Sequence, residues 1–199
     1  MSFYKFARSV VKLWLKSKYK VITVGTEHIP KTGPVIICSN HISNFDPPVV
    51  GITCPREIHF MAKEELFNNK MLAFILKHVH AFPIKRGMKD RNALRKGLEV
   101  LKDGNVLGLF PEGTRSKTGE LKKRFSRSWV FFALRSKATI IPCAIIGDYR
   151  GKDPLKVYYG PPIDMEGLRS EKASAQEVTD VIMEHIKKNQ RKLLTSTSF

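Results

Sequence analysis

His41 and Asp46 carry the most specific chemical suggestion in this chain. They stand five positions apart in Asn40-His41-Ile42-Ser43-Asn44-Phe45-Asp46-Pro47, directly after an apolar run, Pro34-Val35-Ile36-Ile37-Cys38-Ser39. Neighbours on one helix face are three or four apart, so a helix does not pair them. A turn between them does, and Ser43, Asn44 and Pro47 favour turns. Polar residues at the end of an apolar strand sit on a rim, where ligands are met. A carboxylate bonded to one ring nitrogen of His41 sets the tautomer and frees the other nitrogen as a base. No serine or cysteine stands at a nucleophile elbow, so the base would take its proton directly from a substrate hydroxyl. Taken alone, the pair fits a capped strand end equally well.

A second polar stretch, Phe110-Pro111-Glu112-Gly113-Thr114-Arg115-Ser116, also follows an apolar run, Val106-Leu107-Gly108-Leu109. Between the two lies Phe82-Pro83-Ile84-Lys85-Arg86-Gly87, and after them Ile140-Ile141-Pro142-Cys143. These four blocks, in this order over about residues 35 to 147, resemble the glycerolipid acyltransferases, whose marks are an HxxxxD dyad and an FPEGTR block. Within that family the bacterial 1-acylglycerol-3-phosphate acyltransferases are the most similar group.

The resemblance implies an O-acyltransferase of phospholipid biosynthesis. Its acceptor is lysophosphatidic acid and its donor an acyl thioester on coenzyme A or acyl carrier protein. His41 is then the base and Asp46 its orienting carboxylate. Arg115 grips the acceptor phosphate as a fork, with Lys85 and Arg86 adding charge, Gly113 allowing close backbone approach and Thr114 offering a hydroxyl. Glu112 binds a glycerol hydroxyl or holds Arg115. No metal or cofactor is implied. Relatives usually carry Phe-basic-basic-Gly after the FPEGTR block, whereas this chain reads Phe125-Ser126-Arg127-Ser128-Trp129. Ser128 loses the freedom of glycine, and the bulk of Trp129 is expected to narrow an acyl channel or a nearby loop.

Composition agrees with an anionic partner. The chain has 199 residues and a formal charge of +17, with 42% hydrophobic and 27% charged residues, which reads as one globular domain. Such an excess of positive charge suits a phospholipid surface, a phosphorylated substrate or nucleic acid. A nucleic-acid module would explain the basic run Lys122-Lys123-Arg124 but neither polar block, and the aromatics are not interleaved as a stacking platform. A non-catalytic membrane-binding protein would leave the dyad unexplained. Other acceptors, such as glycerol 3-phosphate or a different lysolipid, remain open. Cys38, Cys54 and Cys143 lack metal spacing and read as reduced thiols.

The elements that position these blocks are legible in outline. Residues 1–19 read as an amphipathic helix, with Phe3, Phe6, Ala7, Val10, Val11, Trp14 and Leu15 at helical spacing and Lys5, Arg8, Lys12 and Lys16 opposite. With no acidic residue it is expected at an anionic lipid interface, on the cytoplasmic face as a peripheral or monotopic anchor; docking on the protein's own core is the alternative. It is too interrupted by charge to span a bilayer, and it has no signal-peptide pattern. The resemblance implies an acyltransferase domain over residues 20–194, and 195–199 are expected as a frayed tail. Strands are expected at 20–26, 34–39, 57–61, 80–84, 105–110 and 139–146, with an edge strand at 156–159. Helices are expected at 49–53, 62–78, 91–102 and 121–137, and a last one opened by the capping box Ser174-Ala175-Gln176-Glu177. This alternation predicts an α/β fold: a single mixed, mostly parallel sheet of about seven strands with helices on both faces.

Overall fold

In a computed structural model, the structure describes residues 2–85, 90–113, 129–149 and 153–195. Seven strands form one sheet: β1 (Val21–Val24), β2 (Val35–Ser39), β3 (Ile58–Lys63), β4 (Ala81–Ile84), β5 (Val106–Leu109), β6 (Thr139–Ile146) and β7 (Leu155–Tyr159). Their order across the sheet is β1-β7-β6-β2-β5-β3-β4. Every neighbouring pair is parallel except β6 and β7, which run antiparallel. The C-terminal ends of β2, β4, β5 and β6 therefore share one rim of the sheet, and each of the four blocks reaches it.

The helices are α1 (Phe3–Lys18), α2 (Asp46–Thr53), α3 (Lys70–His78), α4 (Arg91–Lys102), α5 (Val130–Arg135), α6 (Glu166–Ser170) and α7 (Ala175–Thr195). Successive strand residues point to opposite faces, and both faces of β2 are buried. Ile36 and Cys38 join Leu107, Leu109 and Ile140 in a core closed by residues of α4, α5 and α7. Val35 and Ile37 join Val106, Ile141 and Cys143 in a second core closed by Leu15 of α1 and by Val49, Val50 and Ile52 of α2.

Local signals set most element ends. The side chain of Asp90 accepts from Ala93 N at 3.0 Å and caps α4. Ser174 and Glu177 exchange hydrogen bonds of 3.2 and 2.7 Å, forming the expected capping box before α7.

Two expectations are corrected, and a third is described only in part. The helix expected over 62–78 is divided: β3 continues to Lys63, a 3-10 turn covers Glu64–Phe67, and Asn69 caps a new helix through a 3.0 Å bond from Leu72 N. The capping amide competes with helix continuation, so the period is interrupted there. The strand at 155–159 is not an edge, because β1 pairs with its outer side and takes the edge itself. Of the helix expected over 121–137, the described part is α5; residues 121–128 lie outside the described residues, as does the tail from 196.

The N-terminal helix has three faces. Tyr4 and Leu15 are buried, Val11 is half-buried, and the Arg8 guanidinium donates to Ile52 O and Cys54 O at 3.1 and 2.5 Å, satisfying carbonyls at the end of α2. Arg8 thus belongs to the inward face and not to a solvent-facing cationic one. Phe3, Phe6, Val10, Leu13 and Trp14 form an exposed apolar stripe, and Lys5, Lys12 and Lys16 an exposed basic one.

Candidate active site

The loop after β2 is built around the Asp46 carboxylate. Asp46 is the first residue of α2, followed by Pro47 and Pro48, whose missing N–H groups are no loss in a first turn. Its Oδ2 accepts from Ile42 N at 2.6 Å, from Ser43 N at 2.7 Å and from His41 Nδ1 at 2.7 Å. Its Oδ1 accepts from the Tyr149 hydroxyl at 2.6 Å. Four donors reach the carboxylate, three at Oδ2 and one at Oδ1. The turn that brings His41 and Asp46 together is thus closed by the acid itself. With Nδ1 carrying the proton, Nε2 of His41 is left with its lone pair and makes no hydrogen bond among the described residues.

The imidazole is clamped from two further directions. The Phe110 ring stacks on it at 4.3 Å, and Phe60 stacks behind Phe110 at 6.0 Å. Phe60 can lie over β5 because residue 108 is glycine: a Cβ there would come within 2.2 Å of the Phe60 ring. On the backbone side, His41 N donates to Glu112 Oε1 at 2.9 Å. Glu112 is only 4% exposed and follows β5, so the second block holds the first in register. Gly113 sits in the left-handed region at φ 65°, and its N–H donates to Phe110 O at 2.9 Å, closing a tight turn at the strand end.

Asn40 anchors the same loop from below. Its side-chain amide donates to Ile145 O at 2.8 Å and accepts from Ile145 N at 2.7 Å, extending the pairing of β2 with β6 by one side-chain rung. Spacing offered no signal for Phe60 or Tyr149 as site residues, because each is brought to the dyad only through the sheet.

Lys85 follows β4 on the rim; its backbone N–H is bound by Asp90 Oδ2 at 2.9 Å and its exposed ammonium lies 3.6 Å from Glu64. Arg86, Thr114, Arg115 and Ser128 lie outside the described residues. Trp129 is 3% exposed within the core shared by α4, α5 and α7, so its bulk is taken up by packing. The three cysteines are free and buried, and burial pushes the Cys38 thiol up to about 12 and the Cys54 thiol up to about 11. Such thiols supply no nucleophilic thiolate near neutral pH.

The arrangement is an imidazole at the C-terminal rim of a mostly parallel sheet, oriented by a buried carboxylate and backed by an aromatic stack, a geometry that suits a general base. A family model described as Acyltransferase matches residues 20–146, and the chain belongs to that family. It is 31% identical to the 1-acyl-sn-glycerol-3-phosphate acyltransferase of Bacillus subtilis (strain 168), over 96% of this chain and 98% of that protein. It is also 31% identical to the protein of the same name from Borreliella burgdorferi, over 68% of this chain but 54% of that one. The crystal structure of the 1-acyl-sn-glycerophosphate (LPA) acyltransferase PlsC from Thermotoga maritima superposes with a TM-score of 0.82 at 25% identity, covering 98% of this chain and 81% of that one.

Proposed function

We propose that this acyltransferase acts on 1-acylglycerol 3-phosphate, moving an acyl group from a thioester to the free glycerol hydroxyl and making phosphatidic acid. The observation that carries this reading is the 2.7 Å contact between His41 Nδ1 and Asp46, which leaves Nε2 without a hydrogen-bond partner among the described residues. In the reaction Nε2 takes the hydroxyl proton as the oxygen attacks the thioester carbonyl. The tetrahedral intermediate then collapses, the carbon–sulfur bond breaks, and the imidazolium returns its proton to the departing thiolate. Asp46 stabilises the imidazolium in between. A thioester is already an activated acyl group, so no acyl-enzyme is required.

Arg115, Lys85 and Arg86 are the groups for the acceptor phosphate, with Gly113 and Thr114 beside it. For Glu112, its bond to His41 N favours holding the dyad loop over direct contact with glycerol. The donor is acyl-CoA or acyl carrier protein.

The active site meets its lipid at a membrane surface. No helix among the described residues is long and apolar enough to cross a membrane. The exposed stripe of α1 instead continues onto α3, where Phe3 meets Phe74 at 5.8 Å and Met71, Phe74 and Ile75 are also exposed. At its other end Trp14 meets Phe45 at 5.4 Å, one residue before Asp46. An apolar surface of this extent marks an interaction site, and the flanking lysines fit anionic headgroups.

The test is an assay of purified protein with labelled acyl-CoA or acyl carrier protein against lysophosphatidic acid, glycerol 3-phosphate and other lysolipids. Native protein should form phosphatidic acid from lysophosphatidic acid, and His41→Ala should form none. Near-native turnover by His41→Ala would sink the mechanism, and preference for another acceptor would overturn the substrate.

A further inference from the structure

Tyr149 lies three residues beyond β6, outside all four sequence blocks, yet its hydroxyl donates to Asp46 Oδ1 at 2.6 Å. Its ring is held by Tyr19, edge-on at 5.7 Å, and by Phe45 at 6.0 Å. Tyr19 caps α1, and Phe45 in turn carries Trp14 of α1 at 5.4 Å. The catalytic carboxylate is therefore bound on one oxygen by its own loop and on the other by a residue from a different strand end.

We infer that Tyr149 is a positioning residue for the His41–Asp46 pair, fixing the free oxygen of Asp46 so that the other stays aimed at His41 Nδ1. Without the hydroxyl, Oδ1 keeps no partner among the described residues and the carboxylate is held through Oδ2 alone, freer to swing about its terminal bond, a broad torsion with no strong minimum of its own. Burial and the adjoining Asp46 push the Tyr149 phenol well above its ordinary range, so the hydroxyl keeps its proton and remains a donor at any working pH. Tyr149 makes no step of the reaction itself. Its position between Asp46 and the aromatic residues of α1 also makes it the link through which the N-terminal helix braces the dyad.

The inference rests on His41 and Asp46 being the catalytic pair, and its test separates the two claims. Tyr149→Phe keeps the ring between Tyr19 and Phe45 and removes only the hydroxyl. It should lower kcat roughly tenfold while both KM values stay within about twofold, since a hydrogen bond to a charged group is lost in the transition state but no substrate contact is. In an Asp46→Ala background the same change should cause no further loss, because the acceptor is already gone. A tenfold loss persisting in that background would show that Tyr149 acts elsewhere and overturn the inference. Unchanged kcat in Tyr149→Phe would overturn it too, while leaving the His41 mechanism intact. Melting temperature accompanies each variant. Should Tyr149→Phe not fold, 3-fluorotyrosine placed at 149 keeps the ring and hydroxyl and strengthens the donor. The low-field proton resonance of His41 Nδ1 should then move relative to the native protein, and an unmoved resonance would overturn the inference.

Discussion

The carboxylate of Glu112 accepts the backbone N–H of His41 at 2.9 Å, joining two blocks that lie 71 residues apart. It makes the turn after β5 part of the support of the His41–Asp46 loop. Glu112→Ala should leave the His41 amide without its partner and cost about 1–3 kcal/mol of stability, with a fall in kcat. Glu112→Gln, whose amide oxygen can still accept, should be closer to native in both. Chemical denaturation beside steady-state kinetics checks this; equal damage by the two substitutions would mean that charge, not acceptance, is what matters.

Asp46→Asn should lose activity by roughly three to four orders of magnitude. All three donors meet one oxygen, so asparagine keeps their bonds only by turning its NH2 toward the Tyr149 hydroxyl; in that rotamer the imidazolium loses its counter-charge, and in the other the imidazole loses its tautomer as well. Circular dichroism should show a retained fold, and a variant with more than a tenth of native kcat would contradict the role given to Asp46.

Arg115→Ala should raise the acceptor's KM by about ten- to a hundredfold, the loss of a charge-assisted fork to phosphate, and leave the donor's KM nearly unchanged. Parallel rises in both would point to a structural task for Arg115.

The three faces of α1 separate membrane docking from folding. Leu13 and Met71 are 75% and 74% exposed, so Leu13→Ser and Met71→Ser should shift stability by no more than about 0.5 kcal/mol. Together they should weaken pelleting with anionic vesicles and lower activity on vesicle-embedded acceptor more than on detergent-dispersed acceptor. Arg8→Ala should do the reverse, destabilising by about 1–3 kcal/mol through the carbonyls of Ile52 and Cys54. Full vesicle binding by the double serine variant would place the membrane contact elsewhere.

Stability should fall in mild acid through His59. Burial, and secondarily the neighbouring His80 stacked at 4.6 Å, lower its pKa from 6.5 to about 4. The folded state therefore resists a proton that the unfolded chain accepts. The contribution is fully present above about pH 6.5 and is lost as the pH falls toward 4. Melting temperature across that window should drop more steeply for the native protein than for His59→Phe, and identical slopes would remove His59 from the account.

What was legible in the sequence was whatever local chemistry decides. The His41-to-Asp46 turn closes on backbone N–H groups within four residues of the acid, so spacing and turn chemistry were enough to pair the two. The caps at Asp90 and Ser174, the continuous apolar strands and the parallel α/β plan follow the same logic, because each depends on neighbours along the chain. Tertiary structure decided the rest. Periodicity shows that α1 is amphipathic, yet only its contact with α2 splits the apolar residues between core and surface and turns Arg8 inward. Lys156 to Tyr159 read as an edge strand until β1 paired with it. Glu112 and Tyr149 reach the dyad from the ends of other strands, at separations of 71 and 103 residues in their bonds to His41 and Asp46. The physical reason is that a hydrogen bond across a sheet depends on strand order and register, and a single chain's spacing carries neither.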